Sequence, residues 1–314
     1  MSLNLVLLNY HGVDIEDTFA EMFEMWVSRI LVTAENEKWA LIAAEVATGF
    51  ASSIIGSPAE AGIERLVSGS ETPDGRVGVL IQIYHRTRSE LKRQMIARIG
   101  QCIMTCPTTA AFNALEGTAR KLKVGRSLRF FGDGFQKFDE MYGRKVWRIP
   151  VMEGEFIVEN SFGVKKGIAG GNFFIMAKDL KSGLAASEAA VEAMRRNVRD
   201  VILPFPGGVC RSGSKVGSLK YKLSASTNHL YCPRLRGIIP DSQVPEDVNT
   251  IYEIVINGLS LESVKMAMAE GIKAAVKIPG VIRISAGNYG GKIGPIKIYL
   301  RDILHGCEVV KWKK

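Results

Sequence analysis

The sequence predicts an α+β chain made of two similar halves. Three observations carry this. First, the chain matches itself: Ile15-Glu16-Asp17-Thr18-Phe19 aligns with Val158-Glu159-Asn160-Ser161-Phe162 at an offset of 143 residues, as does Ile30–Ala34 with Phe173–Ala177. Second, a later block aligns at an offset of 173, with Ile83 on Ile256, Leu91-Lys92 on Val264-Lys265, Met95 on Met268 and Ile99 on Ile272. The change of offset places about 30 extra residues between the blocks of the second copy. Third, each copy reads strand, helix, strand, strand, helix, strand. That order predicts two duplicated ferredoxin-like (βαββαβ) α/β sandwich lobes.

The elements follow in order. A β run (30–34; 173–177) leads into a helical pattern (38–47; 183–198). A strand near 52–56 or 200–203 follows, then a longer strand (78–84; 250–256) and a second helix (89–103; 261–277). Ser260 caps that last helix, Glu262 suits its positive end, and Val264, Ala267, Met268, Gly271, Ile272 and Ala275 form one apolar stripe. Pro279-Gly280 stops it before a strand at 281–286, whereas the final strand of the first copy is poorly marked. Residues 124–152 carry hairpin signals at Gly132-Asp133-Gly134 and Tyr142-Gly143-Arg144, predicting an inserted β-hairpin excursion. The domains expected are residues 1–150, the N-terminal lobe with its excursion, and 151–314, the C-terminal lobe plus a basic tail.

Composition narrows the classes. A chain of 314 residues, 46% hydrophobic and 23% charged, has the balance of a globular protein. No apolar run is long enough to span a bilayer, and residues 1–8 lack signal-peptide features. The net charge of +9 is spread along the chain without a block of like charges, which suits small anionic substrates as well as nucleic acid. Cys102, Cys106, Cys210, Cys232 and Cys307 are odd in number and form no CxxC, arguing against a disulfide framework or a zinc site. Cys102 and Cys106 are expected as buried core thiols, and the protein as cytoplasmic.

Small and polar residues cluster in the second half: 169–172, 204–208, 212–217, 226–228 and 285–292. Such clusters let backbone amides approach an anion, or are ordinary turns. Gly208-x4-Gly213-Ser214-Lys215 inverts the Lys-Ser order of a phosphate-binding loop, and no dinucleotide fingerprint, nucleophile elbow or paired-histidine motif occurs. Glu253 shares a strand face with Ile251, Val255 and Asn257. Unless that strand is at an edge, desolvation raises its pKa toward neutrality and suits it to proton transfer; the alternative is a solvent-facing glutamate.

The motifs IEDTFAE (15–21), SPAEAGIE (57–64), TPDGR (72–76), RIGQC (98–102), RKVW (144–147), GEFIVENSFG (154–163), AGGNFFIMA (169–177), PFPGG (204–208), SKVGS (214–218), ASTN (225–228), YEIVINGL (252–259) and SAGNYGGK (285–292) run in order along the chain. Together they resemble the formylmethanofuran–tetrahydromethanopterin N-formyltransferase family of archaeal one-carbon metabolism. The resemblance implies two α/β lobes, no metal and no tightly bound cofactor. It implies a homotetramer, a dimer of dimers, with the cleft at a subunit interface. It implies formyl transfer from formylmethanofuran to N5 of tetrahydromethanopterin, with Glu253 as the acid/base residue. Its motifs carry candidate substrate contacts onto Gly170, Gly171, Asn172, Pro206, Gly207, Gly208, Ser214, Lys215, Thr227, Asn228, Asn288, Tyr289, Gly290 and Lys292. Lys215 and Lys292 are the anion partners expected for the coenzymes' carboxylates and phosphate. Four features depart from the family: the positive net charge, Val209-Cys210-Arg211, the tail from Leu304, and about ten N-terminal residues that look extra. The competing readings are a paralogue with another formyl acceptor, a formyl hydrolase, or a basic nucleic-acid-binding module using Phe173, Phe174 and Tyr299.

Overall fold

The computed structural model describes residues 6–292, 294–304 and 308–312; expectations placed on Cys307 and on tail residues 305–307, 313 and 314 lie outside them. The strands are β1 (Val6–Tyr10), β2 (Val13–Glu16), β3 (Phe19–Thr33), β4 (Glu60–Val67), β5 (Gly78–His85), β6 (Ala110–Asn113), β7 (Arg120–Leu122), β8 (Lys137–Met141) and β9 (Arg144–Val151). They continue with β10 (Gly154–Glu159), β11 (Phe162–Ala177), β12 (Val201–Ile202), β13 (Ser214–Val216), β14 (Ala225–Thr227), β15 (Thr250–Gly258), β16 (Val281–Ser285), β17 (Ile296–Tyr299) and β18 (Glu308–Trp312). The helices are α1 (Glu37–Thr48), α2 (Arg88–Arg98), α3 (Val124–Leu128), α4 (Leu180–Asn197), α5 (Leu261–Ala275) and α6 (Leu300–Ile303).

The chain forms two compact units, Glu24–Gly167 and Met1–Phe23 with Ile168–Lys314. A single cut at residue 150 does not describe them, because the first 23 residues join the C-terminal half. The reason is pairing: β2 runs parallel to β16, and the start of β3 pairs with β17.

In the unit Glu24–Gly167 the central strand β3 has β5 on one side and β6 on the other, with β4 outside β5. Helix α1 starts where the Asn36 side chain accepts from Trp39 N, and α2 where Thr87 accepts from Glu90 N. They cover one sheet face, burying Ala40, Ala43, Ala44, Leu91 and Met95 against Ile30, Val32, Ile81 and Ile83. Cys102 and Cys106 pack on this cluster half-buried, where fully buried thiols were expected, and burial raises both pKa values.

In the other unit β11 is central, with β15 and then β12 on one side and β16 on the other. Helices α4 and α5 are capped by Asp179 and Ser260. They bury Ala186, Ala190, Met194, Val264, Met268 and Ile272 against Phe173, Ile175, Ile254 and Ile256. The fit is close: a Cβ on Gly171 would stand 2.4 Å from the Val264 side chain.

Three local expectations need correction. Residues 52–56 are not a strand. They form a loop stapled by its own side chains, with Ile54 N donating to Glu60 Oε1 and the Ser57 hydroxyl to Ser53 O; the strand is β4. Leu128–Phe131 is helical, running through α3 into a 3-10 turn, so the 124–152 excursion holds one hairpin, β8–β9, turning at Tyr142-Gly143. Both central strands also begin about ten residues earlier than the β runs in the sequence, since glycines and charges interrupt their hydrophobic signal.

Candidate active site

Strand β15 lies between β11 and β12, and Glu253 sits in its middle opposite Phe174. β12 reaches only Asn257 and Gly258, so beside Glu253 the strand is made interior by Cys210. Alternation sends Ile254 and Ile256 into the helix-side core and leaves Ile251 and Glu253 on the opposite face. That face is covered by the long segment between β12 and β15. Cys210 from this segment bridges Glu253 through two backbone hydrogen bonds, Cys210 N to Glu253 O (2.8 Å) and Glu253 N to Cys210 O (2.9 Å).

A cavity of about 90 Å³ opens at this point, lined by Phe174, Cys210, Arg211, Ser212, Gly213, Thr227, Asn228, Tyr231, Cys232, Pro233, Ile251 and Glu253. Water reaches part of Glu253 through this opening, yet protein surrounds the carboxyl closely enough that desolvation dominates. Burial pushes its pKa up to about 7, partly offset by a hydrogen bond from the Cys210 thiol. Burial also raises the Cys210 thiol, and the charge of Glu253 adds to that. A carboxyl poised near neutrality can take and return a proton in one cycle.

The wall is built from short pieces. The β13–β14 hairpin pairs Ser214 with Thr227 and Lys215 with Ser226, and Asn228 N donates to Gly213 O at 2.6 Å. The Lys215 ammonium donates to the Ser226 hydroxyl, so this cation is tied to its own hairpin. Tyr231 packs edge-on against Phe174, with ring centroids 4.9 Å apart. Burial pushes its phenol up to about 12, the charge of Glu16 adds to that, and a hydrogen bond with Ser285 opposes it.

The loop after β16 is fixed by two side chains. Asn172 Oδ1 accepts from Gly287 N (2.6 Å), while its Nδ2 donates to Gly170 O and Gly287 O. The buried Glu21 carboxylate accepts from the amides of Tyr289 (2.7 Å), Gly291 (3.0 Å) and Gly294 (2.6 Å). Asn288 Nδ2 donates to Thr18 Oγ1 and Phe19 O. The Tyr289 phenol pKa is raised by burial and by the charge of Glu253, with the Val216 backbone opposing that rise.

The candidate contacts therefore divide. Glu253, Thr227 and Asn228 line one cavity, and Ser214 and Tyr289 adjoin it. Asn172 bonds the backbone of β11 and of the loop, Asn288 ties the loop to Thr18 and Phe19, and the Gly170 amide donates to Asn257 Oδ1. Gly171 serves the packing of α5, and Gly208 packs on Leu203 and Val191 in the turn Pro206–Gly208, outside the cavity lining. Gly290 and Lys292 are exposed on the loop. Sequence reasoning missed Tyr231, Glu16 and Glu21, and reached Ser212 only as part of the 212–217 cluster. For Glu16 and Glu21 a signal existed, since both lie in the motif at 15–21. Among the described residues no cluster of His, Cys, Asp and Glu could hold a metal ion, and no helix is long and apolar enough to cross a membrane. Phe173 and Phe174 are buried and present no face for stacking a base.

Comparison with known proteins points the same way. Residues 8–151 match the family model for formylmethanofuran-tetrahydromethanopterin formyltransferase, and residues 154–303 match the model for its proximal lobe. The chain is 59% identical over 300 residues to the formylmethanofuran–tetrahydromethanopterin formyltransferase of Methanocaldococcus jannaschii, covering 94% of this chain and 99% of that one. The structure of the Methanosarcina barkeri enzyme superposes with a TM-score of 0.90 at 51% identity, over 94% of this chain and all of that one. The formyltransferase/hydrolase complex (FhcABCD) of Methylorubrum extorquens, solved with methylofuran, contains a chain that superposes with a TM-score of 0.91 at 43% identity, over 95% of this chain and 99% of that one. With both halves matched and nearly the full length covered, the chain belongs to the formylmethanofuran–tetrahydromethanopterin formyltransferase family.

Proposed function

We propose that this protein transfers a formyl group from formylmethanofuran to N5 of tetrahydromethanopterin, with Glu253 as the single acid/base group. The supporting observation is a carboxyl on an interior strand, pushed up to about 7, at a cavity with polar donors. N5 attacks the formamide carbon and a C–N bond forms. Glu253 takes the N5 proton, and the carbonyl oxygen becomes an oxyanion, for which Asn228 and Thr227 on the cavity lining are the proposed donors. Glu253 then protonates the methanofuran nitrogen as the second C–N bond breaks, so the proton balance closes on one residue. Both coenzymes are substrates, and no resident cofactor enters the scheme.

We also infer that the two units are copies of one ferredoxin-like design. The offsets of 143 and 173 carry the register Thr33↔Gly78 onto Met176↔Ile251, and Ile30↔Ile81 onto Phe173↔Ile254. They also carry the caps Asn36 onto Asp179 and Thr87 onto Ser260. The assembly proposed is a homotetramer built from dimers with the cleft at a subunit interface, and the candidate contacts on the 285–292 loop belong to that cleft.

The test is formyl transfer by purified protein, followed by absorbance with formylmethanofuran and tetrahydromethanopterin. Turnover is expected; its absence from a folded oligomer would sink the reading. The relative bound to methylofuran favours a second reading, in which the donor is a related furan coenzyme. The same assay with formylated methylofuran separates the two.

A further inference from the structure

Two residues on the cavity lining carry charge, Glu253 and Arg211. The cations that the sequence offered as anion partners stand apart from it. Lys215 is tied to Ser226 within its own hairpin, and Lys292 is exposed on the loop after β16, outside the lining. Arg211 is held in another way. Its backbone is fixed on both sides: Cys210 is locked to Glu253 by two backbone hydrogen bonds, and the Gly213 carbonyl accepts from Asn228 N at 2.6 Å. The Cys210 thiol also meets the Ser212 hydroxyl at 3.3 Å. The Arg211 side chain, by contrast, is exposed, and among the described residues its guanidinium has no ion pair, hydrogen bond or aromatic ring. Arg236 in the same covering segment marks the difference, because its guanidinium is spent on the carbonyls of Pro245 and Val248 and so holds the fold. Arg211 holds nothing within the chain.

We propose that Arg211 is the anion-binding residue of this site, and that the part of the substrate seated at the cavity mouth carries a carboxylate or a phosphate. This rests on the formyl-transfer reading above and adds to it the residue that recognises substrate charge. A guanidinium keeps its charge at every working pH and offers a planar fork of N–H donors, which matches two oxygens of such a group. In water it can stay unpaired at little cost. A bound anion gives it charge-assisted hydrogen bonds, and these strengthen as the substrate displaces water from the mouth. With the chain pinned at Cys210 and Gly213, little beyond the side chain itself has to be ordered on binding. Among the described residues no ion pair joins Arg211 to Glu253, so the guanidinium can hold charge on the substrate without quenching the base. Its effect therefore belongs to binding rather than to the transfer step.

The experiment measures KM for each coenzyme separately in the formyl-transfer assay. Arg211→Gln is expected to raise one of the two KM values about tenfold or more, with kcat within about twofold. The KM that rises identifies the coenzyme whose anion is bound. Arg211→Lys keeps the charge but loses the fork, and should raise the same KM about threefold. Arg234→Gln removes an exposed charge from the same covering segment, off the lining, and should leave both KM values unchanged. Unchanged KM values in Arg211→Gln, a fall in kcat at constant KM, or an equal rise in Arg234→Gln overturns the proposal. Labelling with phenylglyoxal, which attacks free guanidinium groups, gives a readout besides turnover. Mass spectrometry should find Arg211 labelled in the protein alone and shielded by succinate or by inorganic phosphate, while Arg234 labels either way. Absence of turnover in the unmutated protein would end the formyl-transfer reading. The labelling would then decide the anion site by itself, and an Arg211 shielded by neither anion would overturn it.

Discussion

The two units place different residues at equivalent points of the same strand order. In Glu24–Gly167, Leu80 stands opposite Leu31 on the face away from the helices; in the other unit, Glu253 stands opposite Phe174. In the first, Leu31, Leu80, Phe112 and Val146 close into one apolar cluster, with Val146 supplied by the β8–β9 hairpin. In the second, Phe174, Met176, Val244 and Val248 form a smaller cluster, and the rest of the face is polar: Glu253, Ser285 and the wall carried by 203–249. The scaffold does not decide which unit bears a site. The covering segment does, because a regular hairpin seals the face, whereas a long irregular segment brings hydrogen-bonding groups and leaves a cavity.

Substitutions can sharpen this contrast. The largest effect is expected from Glu253→Gln, which removes the only titrating group of the proposed mechanism; transfer should fall about 10²- to 10⁴-fold while coenzyme binding by calorimetry persists. Unchanged turnover would take Glu253 out of the chemistry. Phe112→Ser should cost the sealed face about 3–5 kcal/mol in denaturant unfolding, since Phe112 is fully buried and Ser285 is its counterpart. A loss below about 1 kcal/mol would mean that the hairpin cover is not what holds that face.

The pH dependence follows from the raised Glu253 carboxyl. Between the unfolded pKa of 4.5 and about 7 the folded state binds more protons, so stability falls as pH rises through this window. The shift corresponds to roughly 3 kcal/mol, complete above about pH 7, and Glu253→Gln should flatten that slope. Turnover should climb through the same window as the carboxylate forms. Cys210→Ala removes the thiol hydrogen bond that lowers the Glu253 pKa, so the acid limb of the rate profile should move to higher pH. Well above that limb the rate should change by less than about threefold. A limb that stays in place would uncouple Cys210 from Glu253. Smallest and most symmetric are the caps: Asn36→Ala and Asp179→Ala should each cost about 1 kcal/mol, read from denaturant midpoints at constant m-value.

Much of the strand and helix order was legible because matching caps and registers recur at the offsets of 143 and 173. The same offset of 173 would have found the poorly marked strand, since Ala110–Phe112 falls on Arg283–Ser285. Glu253 was legible because a charge on an interior strand breaks a period-two pattern. The cavity wall was not. Tyr231 sits in a 3-10 turn with no periodicity, and only the fold brings it to Phe174. Glu16 and Glu21 were hidden by distance along the chain, since their partners lie near its far end.

That distance has a consequence for biosynthesis. The unit Glu24–Gly167 is a continuous stretch, so it can collapse while the rest of the chain is still being translated. Glu21 leaves the ribosome 273 residues before the amide of Gly294 that it holds. The loop beside the site is thus latched only after all of Glu24–Gly167 has been made, and a nascent chain carries that lobe well before it can carry an assembled site.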